Sequence, residues 1–121
     1  MLNIDRSGNI TVNRGDTFKA PLFIDVSDDI FHSIRFPFSD NDKLYFYVVE
    51  PNCPLRQALI KKEYTKKDLN SNGDVIINFK HEDTCWIAPG TYFYEVKIEQ
   101  VDNEGQVAIV TVVSRKKFIL L

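Results

Sequence analysis

The feature that most constrains the fold of this chain is an alternation of apolar with other residues at a period of two. Residues 18–26 carry an apolar side chain at every even position, and residues 92–98 repeat the pattern with Tyr92, Tyr94, Val96 and Ile98. Successive side chains of a β-strand point to opposite faces, so both stretches predict strands with one face in a core. Pro21 cannot donate a ladder hydrogen bond, which predicts an edge position or a bulge there.

Turn signals divide the chain into about seven or eight such strands. Asn72-Gly73 and Pro89-Gly90 are typical turn pairs, and Asp102–Gly105 predicts a hairpin loop between strands. Residues 44–49 are apolar on both faces, as a central strand would be. One helical turn capped by Thr65 is expected, with no long helix and no internal repeat. The pattern predicts a single all-β domain over residues 1–121, an antiparallel β-sandwich.

More specific predictions can be made for two segments of the chain. The segment 28–42 is expected to be irregular, and its Phe31, Phe36 and Phe38 either tuck under a sheet edge or present a partner surface. The last residues are expected to form two strands, 106–113 and 115–121. The second of these could lend its edge to a neighbouring protein for strand addition.

Charge and composition argue against two kinds of partner, nucleic acids and membranes. Fifteen basic and seventeen acidic residues leave a net charge of −2, whereas nucleic-acid binders show a clustered basic excess. The short basic run at 115–117 is expected to be a solvated face or an edge guard. No run approaches the length of a membrane span, and the first residues lack the apolar stretch of a signal peptide. We therefore expect neither a nucleic-acid nor a membrane partner.

The side chains that usually carry chemistry form no recognisable site. Both histidines, His32 and His81, lack a neighbouring nucleophile pattern, and no GxSxG, phosphate-binding loop or calcium loop is present. Cys53 and Cys85 are expected to be free thiols, with a disulfide as the alternative and zinc remote because four ligands are normally needed. The prediction is a protein that is not an enzyme, with no catalytic residues, no cofactor and no metal.

Three segments together resemble a known family. They are ITVNRGDTFKAPLFI, KLYFYVVEPNCPLRQALIKKEYTKKDLNSNGDVIINF and DTCWIAPGTYFYEVKI, which cover most of residues 10–98. Their RGDT turn, NGD hairpin and PGTYFYEVK strand resemble the N-terminal immunoglobulin-like domain of bacteriophage baseplate upper proteins and related small phage structural proteins. The resemblance implies an immunoglobulin-like β-sandwich of about 7–8 strands. It also implies a non-enzymatic virion protein of the tail, baseplate or capsid, assembled in the host cytoplasm.

The strand phases also predict which aromatic residues face outward. Phe23, Tyr45, Tyr47 and Phe93 fall opposite the core and are the candidate interface with other virion subunits or a second copy of the chain. The alternative is a carbohydrate-binding or other ligand-binding module that uses the same aromatics as stacking platforms. The only Trp, Trp86, stands beside apolar Ile87, which argues against that alternative.

The residues on the inward-facing side of each predicted strand form the predicted core. Tyr92, just after the Pro-Gly turn, is expected to make the corner hydrogen bond of immunoglobulin-like sandwiches. The residues predicted to be buried are Phe18, Leu22, Ile24, Leu44, Phe46, Val48, Val75, Ile77, Phe79, Tyr92, Tyr94, Val96 and Ile98.

Overall fold

The computed structural model describes residues 2–22, 25–29, 32–35, 40–69, 75–102 and 104–121. In these parts of the chain nearly all regular structure is extended. The strands are β1 Leu2–Ile4, β2 Ile10–Val12, β3 Phe18–Leu22, β4 Asp25–Asp29, β5 His32–Arg35, β6 Lys43–Val49, β7 Ile60–Thr65, β8 Val75–Phe79, β9 Gly90–Val101 and β10 Val107–Leu120. The helical parts are α1 His81–Thr84 and two 3₁₀ turns, Leu55–Gln57 and Lys66–Asp68.

The strands form a six-stranded sheet, a two-stranded sheet and a hairpin. The large sheet has the order β1-β2-β10-β9-β6-β7, β3 pairs with β8, and β4 pairs with β5. The order β10-β9-β6-β7 opposite β3-β8 is that of strands G-F-C-C′ opposite B-E in an immunoglobulin sandwich. The all-β sandwich prediction is confirmed. The described residues contain ten strands rather than seven or eight, and β2 pairs with β10 in parallel rather than antiparallel.

The core lies between the two sheets and is centred on Phe79 of β8. Its ring stacks on Phe18 of β3 at 4.4 Å between centroids, meets Phe46 of β6 edge-on at 5.7 Å and lies 5.8 Å from Phe118 of β10. One aromatic side chain therefore connects both layers of the sandwich. The fully buried large side chains are Phe46, Phe79, Phe118, Leu44, Ile77, Ile98, Leu120, Val12, Val48, Val49, Val75 and Val96.

The predicted core is confirmed where it can be compared. Nine of its residues are buried, and Phe18 and Tyr92 are half-buried against the same cluster. Ile24 and the side chain of Leu22 lie outside the described residues. The prediction omitted the two ends of the chain, whose strands β2 and β10 contribute four buried side chains: Ile10, Val12, Phe118 and Leu120.

The tyrosines of β9 tie the sheet to neighbouring loops. The Tyr92 hydroxyl donates a hydrogen bond to the Ala88 carbonyl at 2.6 Å, which confirms the predicted corner. Two residues on, where antibody domains carry the second disulfide cysteine, Tyr94 stacks on Phe46 at 5.3 Å. Its hydroxyl donates to the Gly8 carbonyl in the turn between β1 and β2. At this position, then, an aromatic contact and a hydrogen bond link β9 to β6 and to the β1–β2 turn of its own sheet, instead of a disulfide to the other sheet.

The turn between β2 and β3 is hydrogen-bonded to the segment between β8 and β9, which contains α1. The Gly15 N–H donates to Thr84 Oγ1 at 2.8 Å, and His81 Nδ1 lies 2.7 Å from the Gly15 carbonyl oxygen, close enough to donate to it. Gly15 has a φ of +81°, and a Cβ added there would lie 3.2 Å from His81 Nδ1. The turn therefore needs glycine for two reasons: other residues are strained at this φ, and a side chain there would lie too close to His81.

Four predictions about strands are wrong in detail. Residues 18–26 do not form one strand, because Phe18–Leu22 is β3, which pairs with β8, whereas Asp25 begins β4, which pairs with β5. The segment 28–42 is not irregular throughout, because β4 and β5 form an antiparallel hairpin in which Asp25 faces Arg35. Residues 107–120 form one long strand with register irregularities between 111 and 116, rather than two strands. The edge at 118–120 is not free for a neighbour because it pairs with β2. Phe31, Phe36, Phe38 and the Asn72-Gly73 turn lie outside the described residues.

Other local predictions are confirmed. Among the described residues β3, with its Pro21, has β8 as its partner and is an edge strand. β6 lies between β9 and β7, as expected for a central strand. The Thr65 N–H donates to Asp68 Oδ2 at 2.8 Å at the start of the 3₁₀ turn. Cys53 and Cys85 are both free thiols.

Candidate interaction surface

Three of the four predicted interface residues lie on one face of the six-stranded sheet. We call this the outer face: the side of β6 and β9, opposite the core, that carries Tyr45, Tyr47 and Phe93. Tyr45 and Tyr47 are half-buried and stack with ring centroids 6.0 Å apart and planes at 24°. Half-buried Phe93 is paired with Val49, the next outward position of β6. Phe23 lies outside the described residues.

Charged side chains surround the two tyrosine rings. Lys61 of the neighbouring β7 places its Nζ 5.1 Å from the Tyr45 ring centroid and 5.9 Å from that of Tyr47, within cation–π range. On the other flank the Tyr45 hydroxyl lies 3.4 Å from Glu99 Oε2 and donates to it. Lys43 and Glu63 form an exposed ion pair at 3.4 Å. The tyrosines are therefore aligned by contacts on both sides before any partner arrives.

The two phenols stay protonated well above neutral pH. Burial raises the pKa of Tyr45 to about 12, and the negative charges of Glu99 and Glu63 add to the effect. Burial and the same carboxylates also raise the pKa of Tyr47. Both hydroxyls can therefore donate hydrogen bonds across the physiological range.

The chain itself covers the Phe93 end of the outer face. Val49 is fully buried although its strand phase points it outward. Arg115 of β10 donates from Nη2 to the Cys53 carbonyl at 2.6 Å, and its Nε lies 3.7 Å from Glu95 Oε1. These contacts hold the loop after β6 over this end, so the Tyr45–Tyr47 end is the more open one.

A small cavity lies beside the tyrosines, next to the loop that follows β6. It has a volume of about 220 Å³ and is lined by Tyr47, Leu55, Arg56, Ala58 and Lys61. Strand alternation predicted Tyr47 but not the loop residues or Arg115. The contact of Arg115 with Cys53 joins positions 62 residues apart, for which the sequence carries no local signal.

Other chemistry is sparse in the described parts of the chain. No cluster of three or more His, Cys, Asp or Glu side chains suited to a metal occurs among the described residues. Within the same residues, no helix is long and apolar enough to cross a membrane. Trp86 follows α1, outside β6 and β9, and is 60% exposed. Comparisons with protein-family models, curated proteins and solved structures find no match to this chain.

Proposed function

We propose that this chain is a non-enzymatic bacteriophage virion protein of the tail, baseplate or capsid, which docks onto other virion subunits through its outer face. The sequence resemblance supports the virion setting. The geometry of the outer face supports docking, and the two arguments are independent. In this proposal the sandwich is a rigid scaffold that presents aromatic side chains to a partner.

The observation that carries the docking proposal is the stacked pair Tyr45–Tyr47. Both rings are attached to a strand that is hydrogen-bonded on both sides, and Lys61 and Glu99 restrict them further. Protein interfaces concentrate their binding energy in a few such aromatic anchors, and rigid anchors lose little conformational entropy on binding. A stable contact buries about 800 Å² per partner, so the tyrosines would form the centre of a larger patch.

A ligand-binding function is the second candidate, and the exposure of Trp86 favours it. An indole that is 60% exposed offers a flat platform of the kind that stacks on a sugar ring. Cys85 next to it is exposed and Ile87 is buried, so the tip of this loop presents the indole outward. In this case Trp86 rather than the tyrosines would bind the ligand.

The docking proposal is tested by measuring how much of each variant of this chain is incorporated into phage particles. The double variant Tyr45→Asp/Tyr47→Asp should remain folded by circular dichroism, because both side chains lie outside the core, and should be lost from purified particles. Trp86→Asp is the matched control, since it makes the same kind of change at an exposed aromatic elsewhere, and it should be incorporated normally.

Two outcomes would contradict the docking proposal. One is normal incorporation of the folded double variant, which would exclude the outer face as the docking surface. The other is loss of Trp86→Asp together with normal double-variant particles, which would favour the loop at Trp86.

A further inference from the structure

We propose that two copies of this chain pair antiparallel, edge to edge, through residues 107–111 of β10. This inference rests on the edge of the six-stranded sheet and does not depend on the outer face or on the virion setting.

The first half of β10 is paired on one side. β9 pairs with it from Val107 to Leu120, whereas β2 reaches only Phe118–Leu120 on the other side. In the parts of the chain that the structure describes, no strand pairs with the second edge of 107–111. Alternate residues of such an edge point their N–H and C=O groups away from β9. That edge is a template for another strand.

This edge lacks the features that usually prevent strand addition. The stretch 106–114, QVAIVTVVS, has no charge and no proline and is rich in β-branched residues. Val107 is 56% exposed and Ile109 is 66% exposed. The register irregularities begin only after Thr111, so 107–111 is the regular part. An uncharged edge of this kind is expected to be covered in the native assembly.

The charges at the two ends of β10 favour a second copy in antiparallel orientation. Asp102 and Glu104 precede the uncharged stretch, and Arg115, Lys116 and Lys117 follow it. Antiparallel pairing centred near residue 109 places the acidic end of one copy beside the basic end of the other, twice. Parallel pairing would place like charges together. The strand is therefore complementary to itself in the two-fold arrangement of an isologous dimer.

The rest of the sheet leaves room for this dimer. β2 and Asn9 before it lie on the same side of β10, but Asn9 contacts the Lys117 N–H, eight residues beyond Ile109 and about 26 Å away at 3.3 Å per residue. In the antiparallel pair, β2 of each copy lies past the β9–β10 hairpin of the other copy. The two six-stranded sheets then join into one continuous sheet without overlap of their β2 strands.

The experiment is a measurement of mass in solution by light scattering after gel filtration. At about 100 µM, far above a micromolar dissociation constant, the parent chain should have twice its monomer mass of 14.0 kDa. Ile109→Lys and Ile109→Glu should each be monomeric with an unchanged circular dichroism spectrum, because each brings like charges together at the centre of the pair. An equimolar mixture of the two variants should recover the dimer mass.

The control is Leu121→Lys, the same kind of change at a residue that is 55% exposed beyond the paired region, and it should stay dimeric. A parent chain that is monomeric at this concentration would overturn the proposal. A dimer that survives in both single Ile109 variants would also overturn it. The variant Tyr45→Asp/Tyr47→Asp should remain dimeric, which separates this proposal from docking through the outer face.

Discussion

Phe46→Ala should destabilise the protein more than any other single truncation in β6. Phe46 is fully buried and its ring contacts those of Phe79 and Tyr94, so the change removes two aromatic contacts and leaves a cavity between the two sheets. Truncation of a buried Phe costs about 3–5 kcal/mol. For a domain of this size about 4 °C of melting temperature is lost per kcal/mol, so Tm should fall by about 12–20 °C. Urea denaturation followed by circular dichroism measures the free energy directly.

Tyr47→Ala provides the comparison, because Tyr47 is the next residue of the same strand but lies on the outer face. It should cost less than half as much, since its ring is only half-buried and no cavity forms. A cost below about 1 kcal/mol for Phe46→Ala, with a larger cost for Tyr47→Ala, would show that the phase of β6 is reversed. That result would refute the assignment of Phe46 to the core and of Tyr47 to the outer face.

Three further measurements test local features. The pKa of Tyr45, about 12 when folded, exceeds the roughly 10 of an unfolded tyrosine. The unfolded chain therefore loses this proton first, and the free energy of unfolding should fall as the pH rises between these values, less steeply in Tyr45→Phe. Gly15→Ala should destabilise more than Gly105→Ala: both have a φ near +80°, but only an added Cβ at Gly15 meets a neighbour, His81. Equal urea midpoints for these two variants would contradict the Gly15 contact. Labelling the unfolded, unreduced chain should find two reactive thiols, and finding none would indicate a disulfide.

The features that could be predicted from the sequence are those whose signal is local. The alternation in β6 and β9 identifies the buried face of each strand because side-chain direction follows from strand geometry alone. Pro21 identifies an edge strand because it lacks an N–H. Tyr92 could be assigned to its corner because that hydrogen bond spans only four residues.

The features that could not be predicted depend on partners distant in sequence. β1 has three residues and exists because β2 pairs with it, so its own pattern is too short to indicate a strand. The parallel pairing of β2 with Phe118–Leu120 joins the two ends of the chain, and no local pattern predicts it. The β4–β5 hairpin escaped prediction because Asp25 and Val26 continue the alternation of the preceding residues, and the following Ser27-Asp28-Asp29 is polar and does not alternate. The cover over the outer face likewise depends on Arg115 reaching Cys53.

We propose that this chain is a virion component, and the most direct test of that proposal is to count the chain in purified particles. Under this proposal the chain is expressed by a phage, whose particles would be isolated on a density gradient and analysed by quantitative mass spectrometry, with the unbound fraction measured in parallel. We expect a fixed ratio of this chain to the tail, baseplate or capsid proteins across preparations. Particles free of the chain, with the protein abundant in the unbound fraction, would contradict it.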